Sequence, residues 1–286
     1  MNTTSTARHD HRTNPGSGRV GRIVRSPLGW MLTGLVGVGA VSGVTANGPG
    51  PVPVLGAAVA VAVYWTVMRH LARRPTPEIA RRGAGREALL GGGIGLGFVL
   101  VPVLLITVFG GYSFSWAGHG FLPVVASAAA TAVGAAVAEE LMFRGLALQA
   151  LEQLCGSRAA LAITALFFGV AHLANPGATA WSALAIALEA GVLVGAAFLW
   201  RRSIWFVAGL HFGWNTTEQL LGIPVSGHAA KGLLTAEVDG PALLTGGSFG
   251  LEASIVPVVI GVGLAVPMLV LASRRGGLLP RKRARR

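Results

Sequence analysis

Apolar residues along this chain gather into eight runs, at about residues 28–46, 52–69, 88–112, 121–154, 158–174, 178–200, 203–222 and 251–272. A helix that crosses the hydrocarbon core needs ~20 apolar residues, within a range of ~17–25. The runs at 52–69 and 158–174 lie near the short end, and the run at 121–154 exceeds the range. Turn-forming clusters separate several of them: Asn47-Gly48-Pro49-Gly50-Pro51, Asn175-Pro176-Gly177 and Gly222-Ile223-Pro224. The pattern predicts an all-α, polytopic membrane protein with about eight transmembrane helices. Residues 1–26 are polar, carry five arginines and have no apolar core, so they read as a disordered basic tail and not as a cleavable signal peptide. Two helices and a basic loop are expected over 27–84, the main helical domain over 85–273, and a second basic tail over 274–286. Residues 223–250 read as a polar outer loop. No soluble domain and no internal repeat stands out.

Charge orients this arrangement. With the N-terminus inside, the inside pieces are the tail, the 69–87 loop, the 144–158 region, Arg201-Arg202 and residues 273–286. They hold 22 of the 23 Lys/Arg residues, leaving only Lys231 outside. Cytoplasmic loops of membrane proteins carry such an excess, and a miscount by one helix would scramble it. The expected location is the plasma membrane of a bacterial cell, multi-pass, with both termini cytoplasmic.

Composition agrees. Charged residues make up 12% and hydrophobic ones 52%, where a soluble domain carries about a quarter charged residues. The 42 glycines suit a membrane, in which small residues let helix backbones approach closely. Gly91, Gly95, Gly191 and Gly195 have the spacing for that use. The net charge of +12 falls between apolar runs and not on a polar domain, which argues against a nucleic-acid partner. The single cysteine, Cys155, excludes an internal disulfide.

Charge inside a lipid-embedded helix is costly, so polar residues within the runs are functional candidates. In Glu139-Glu140-Leu141-Met142-Phe143-Arg144 two carboxylates and an arginine interrupt an apolar helix. Glu140 and Arg144, four apart, can pair on one face, leaving Glu139 free to act. Taken alone, the ion pair is also a plausible structural device. Phe168 and His172 share a helix face, as do His211 and Asn215. A lone histidine is more often a packing residue, but three such sites on three helices are harder to attribute to chance. Their depths agree only if the fourth helix runs on past Gly145 to about Leu154. Glu189 in the sixth helix is a supporting candidate, while Glu218 and Glu252 read as interfacial. The zinc-protease pattern H-E-x-x-H is absent, and Asp10 and Asp239 lie outside the helix cores. Gly246-Gly247-Ser248-Phe249-Gly250 matches G-x-S-x-G but lacks the strand-turn-helix context that pattern needs.

Glu139-Glu140-x-x-x-Arg144, Phe168-x-x-x-His172 and His211-x-x-x-Asn215 resemble, in order and kind, the three signature motifs of the CPBP family, the CAAX proteases and bacteriocin-processing enzymes also called the Abi family. The resemblance covers about residues 85–272 and is densest over 135–220. One departure is Trp205-Phe206-Val207-Ala208, where many relatives carry a proline before the histidine. The resemblance implies an eight-helix intramembrane endopeptidase whose cavity is reached from the cytoplasmic side. Eukaryotic relatives trim prenylated CAAX proteins, while bacterial ones are linked to peptide processing and bacteriocin self-immunity. The expected reaction is hydrolysis of a membrane-associated protein or peptide. Glu139 is the expected general base, and His172 positions the water. His211 and Asn215 stabilise the oxyanion. Glu140 and Arg144 brace the helix. The alternative chemistry is a divalent metal such as zinc on Glu139, His172 and His211. The rival readings are a proton-coupled transporter, which predicts repeats and broken helices, and a catalytically silent immunity or scaffold protein on the same fold.

Overall fold

The computed structural model describes residues 18–229 and 231–280. Each of the eight apolar runs forms a helix: α1 (Pro27–Thr45), α2 (Val52–Leu71), α3 (Ala84–Val108), α4 (Phe121–Cys155), α5 (Ser157–Ala174), α6 (Ala180–Arg201), α7 (Ile204–Leu221) and α8 (Ile255–Arg274). Seven of them are long and apolar enough to span a membrane. The remaining helix, α7, carries His211, Asn215, Thr216, Thr217, Glu218 and Gln219 on 18 residues, which lowers its hydropathy although it packs inside the bundle. The chain is an all-α polytopic membrane protein, as the hydrophobic pattern predicts.

Serine and proline start several helices where the sequence places them. Ser26 caps α1, with Pro27 in its first turn; Ser203 caps α7 and Ser254 caps α8, each accepting a backbone N–H. Gly156 and Gly222 hold positive φ at the ends of α4 and α7.

Three differences from the sequence expectation stand out. The tail expected to stay unstructured to residue 26 contains a short helix, Arg19–Val24; the rest of that call, residues 1–17, and the end of the second tail lie outside the described residues. The third apolar run ends as a helix at Val108, because Gly110 turns with φ 79°. The alternating Tyr112–Trp116 then forms strand β1, antiparallel to β2 (Leu234–Val238) in register Tyr112 to Val238. The outer loop is therefore an ordered cap.

Glycine does what its spacing predicts. A β-carbon at Gly91 would stand 2.0 Å from the Phe206 carbonyl oxygen, and one at Gly95 2.0 Å from that of Leu210. In return, α7 presents Gly209 to the Ala88 carbonyl and Gly213 to that of Gly92. The α3 and α7 backbones thus touch over two turns. Gly191 of α6 meets the α5 backbone at Ala165 in the same way.

The bundle has two unlike ends. At one, Ser157 and Leu279 exchange hydrogen bonds, Arg202 chelates Glu152 at 2.6 and 2.8 Å, Arg201 pairs with Glu87, and Arg74 reaches Gln149 and Glu78 at 2.8 Å. This is the arginine-rich face. At the other end lie the β-ribbon, the 175–179 turn and the 222–254 cap. There Asn175 donates to the Ser226 carbonyl at 2.9 Å and Gly227 donates to Phe249 at 2.7 Å. Lys231 is the only Lys or Arg of the described residues on this second face.

Candidate active site

The α4 helix runs unbroken through Gly145 to Cys155, as the shared depth of the three motifs requires. It does so through a π-helical stretch, Leu141–Leu148, that begins directly after Glu139-Glu140. The α6 helix has a second such stretch, Ala187–Val194. π-Helical turns offset the regular ladder and often mark functional sites. Here Arg144 links the two, donating from α4 to the Ala190 carbonyl of α6. Gly145 admits the Tyr64 ring, whose Cε2 would lie 2.8 Å from a β-carbon there.

Glu140 is fully buried and accepts from Arg144 Nη1 at 3.0 Å and from His211 Nδ1 at 2.9 Å, both at its Oε1. One carboxylate therefore joins α4 to α7 directly, and through Arg144 it joins α6. It does not line the cavity described next; its carboxylate holds Arg144 and His211. Glu139, one residue earlier and turned about 100° around the helix, is half-buried, does line that cavity, and makes no side-chain hydrogen bond among the described residues.

The cavity has a volume of about 520 Å³, within the ~300–1,000 Å³ usual for ligand pockets. Glu139, His172, His211 and Asn215 all line it. His172 sits at the last turn of α5, where its Nδ1 donates to the Phe168 carbonyl at 2.7 Å. Its Nε2 lone pair is left for the cavity. The Phe168 ring centroid lies 4.7 Å from those of Phe143, which it meets edge-to-face, and His172, which it meets at a tilt of 31°, and 5.0 Å from the Arg144 guanidinium. The two motifs are thus in contact through Phe168. His211 uses Nδ1–H on Glu140, so its Nε2 is also left for the cavity. Asn215, one turn further along α7, has no protein partner among the described residues.

Among the groups that line the cavity are two imidazole Nε2 atoms, those of His172 and His211, each anchored through Nδ1, and the Glu139 carboxylate. Anchoring of that kind is typical behind a metal. Yet among the described residues no three His, Cys, Asp or Glu side chains stand close enough together to hold one.

Glu218 and Glu252 differ from expectation. Glu189 does not line the cavity, and both its oxygens are buried without a hydrogen-bond partner among the described residues. Glu218 is fully buried in α7, not interfacial, and is likewise unpartnered. Glu252, expected at the interface, is buried and lines the cavity. Its carboxylate accepts the Ser226 N–H at 2.5 Å and the Ser226 hydroxyl at 3.1 Å. Burial raises the Glu252 carboxyl above its ordinary value, against the nearby His172 imidazole and the Ser226 hydrogen bonds. Nothing in the local sequence marks Glu252 as part of the site, because the fold brings it there from the far end of the cap. The Gly246–Gly250 stretch forms 3-10 turns with positive φ at Gly246, Gly247 and Gly250, so its glycines serve the turn and the G-x-S-x-G match is incidental.

Residues 120–217 match the family model described as type II CAAX prenyl endopeptidase, Rce1-like. The matched stretch runs from the start of α4 to two residues past Asn215 and contains all three motifs, so the resemblance to the CPBP family is borne out there. That family is one of membrane proteases. No curated protein and no solved structure matches the chain.

Proposed function

We propose that this protein is an intramembrane endopeptidase that hydrolyses a peptide bond of a membrane-associated protein or peptide with water activated by Glu139. The observation that carries the reading is the division of labour between adjacent glutamates. Glu140 is locked to Arg144 and His211, while Glu139 faces the cavity with its carboxylate unengaged.

The steps follow from that arrangement. Glu139 takes a proton from water as the water oxygen bonds to the scissile carbonyl carbon. The His172 Nε2 lone pair accepts the second water hydrogen and orients the attacking oxygen. The carbonyl π electrons move to oxygen, and the Asn215 amide N–H donates to the oxyanion. His211, held at its Nδ1 by Glu140, joins it as a second donor when its Nε2 also carries a proton. Collapse of the intermediate breaks the C–N bond, and the proton held by Glu139 passes to the leaving amine. No step is routed through a metal. If zinc were bound by Glu139, His172 and His211, it would polarise the carbonyl and acidify the water.

The decisive experiment compares protein N- and C-termini by mass spectrometry in cells carrying the wild type or Glu139→Gln at equal abundance. Termini seen only with the wild type establish proteolysis and name the substrate. Identical termini across several growth conditions would overturn the peptidase reading in favour of a binding or transport role.

A further inference from the structure

The cavity is not placed symmetrically in the bundle. Every loop residue that lines it (Asn175, Val225, Ser226, His228, Ala229 and Glu252) belongs to the cap on the second face, and none belongs to the arginine-rich loops. Its exposed lining residues mark the mouth: Thr131 on α4, Ala171 on α5, and His228 and Ala229 on the cap. The first half of α4, Phe121–Glu140, packs on α2 and α7. It stands off from α5, which meets α4 mainly through the π-helical stretch and the turns after it. A slot is left between α4 and α5, open sideways to lipid and upward to the second face.

The upper edge of that slot is a built lip. Ser226 holds φ 48°, a left-handed conformation that is unfavourable for serine, and Gly227 follows at 84°. Three hydrogen bonds fix Ser226 there: its N–H and hydroxyl donate to Glu252, and its carbonyl accepts from Asn175. This strained, hydrogen-bonded edge lies at the rim of the cavity that contains Glu139 and His172. Inside the slot α4 presents apolar Ala132, Ala135, Met142 and Phe143, while the polar groups are Thr131 and Glu139 of α4, His172 of α5, those of α7 and those at the lip. An amphiphilic peptide suits this arrangement, with apolar side chains toward the lipid and the backbone toward Asn215 and Ser226.

The arginine distribution orients the slot. The described loops of one face carry Arg73, Arg74, Arg81, Arg82, Arg201, Arg202 and Arg275, against Lys231 alone on the other. Short loops rich in Arg lie on the cytoplasmic side. We infer that the site is loaded from the non-cytoplasmic side of the membrane, and that its substrate is a peptide segment exported to, or anchored in, the outer leaflet, entering through the α4–α5 slot beneath the Ser226 lip. This rests on the peptidase reading and reverses the cytoplasmic access that the family resemblance implies.

The test uses the single cysteine as its starting point. In a Cys155→Ser background, Ala229→Cys is placed on the lip and Ala80→Cys on the arginine-rich face, both at exposed positions. Intact cells are treated with a charged, membrane-impermeant maleimide. Labelling of Ala229→Cys in intact cells, with Ala80→Cys labelled only after permeabilisation, is expected. The reverse pattern overturns the inference. His228→Cys serves as a second lip reporter should Ala229→Cys accumulate poorly. Labelling requires no turnover, so the access result stands or falls apart from the peptidase result. Where wild-type-dependent termini have been found, full modification at residue 229 should abolish their appearance. Undiminished cleavage with the lip fully modified would also overturn the proposed route.

Discussion

His211 Nδ1 lies 2.9 Å from Glu140 Oε1, across 71 residues of sequence and between two different helices. That contact fixes which imidazole nitrogen faces the cavity, and it separates the roles of two neighbouring glutamates. Glu139→Gln should leave the fold intact, because Glu139 has no partner among the described residues. It should lower peptide cleavage by roughly 10²–10⁴-fold, the range for loss of a general base. Cleavage by purified Glu139→Gln at the wild-type rate would sink the mechanism.

Glu140→Gln should behave differently. It leaves Arg144 buried without its ion pair and weakens the hold on His211. Breaking a buried pair by removing one partner costs about 3–5 kcal/mol. Thermal unfolding in detergent should therefore show a clear drop in Tm for Glu140→Gln and little change for Glu139→Gln. Equal Tm values for the two variants would contradict the positioning role.

Asn215→Ala removes a group with no structural partner among the described residues, so its Tm should match the wild type. If Asn215 serves the oxyanion, kcat should fall by roughly 10²–10³-fold with KM little changed. A rise in KM at constant kcat would assign Asn215 to substrate binding instead.

Gly95→Ala would drive a β-carbon to 2.0 Å from the Leu210 carbonyl, one residue before His211. Overpacking of this kind costs about 1–3 kcal/mol, and the α3 and α7 backbones have no flexible side chain between them to yield. Lower Tm together with lower activity is expected. Gly97→Ala, where a β-carbon meets open space, is the control and should change neither.

Dialysis against a strong chelator should leave cleavage unchanged, since the steps derived above need no metal. Loss of activity that added zinc restores would convert Glu139, His172 and His211 into a metal-holding set, and the mechanism would have to be rewritten.

Raising the pH should destabilise the cap. The Glu252 carboxyl is held above its ordinary range by burial. A group whose folded-state pKa is raised contributes stability that is fully present below its unfolded pKa and is lost as pH rises through the folded one. Tm of the wild type should therefore fall as pH climbs above the ordinary glutamate range. Glu252→Gln should lack that component of the slope, and parallel Tm–pH curves would refute this.

Much of this protein was legible in its sequence because lipid imposes a simple rule. A backbone crossing hydrocarbon must satisfy its own hydrogen bonds, so each apolar run had to become a helix, and all eight did. Charge cost marked Glu139, Glu140, Arg144, His172, His211 and Asn215 as candidates, and helical spacing paired Glu140 with Arg144. Glycine spacing foretold close approach, since only the lack of a side chain permits it. The sequence could not show that Glu140 is shared with His211, or that Glu218 is a buried core residue. It could not bring Glu252 to the cavity, or place the mouth at the end away from the arginines. Those outcomes depend on how helices distant in sequence turn and lean against one another. Such contacts form only in the packed bundle, where α3 and α7 touch backbone to backbone and the first half of α4 stands away from α5.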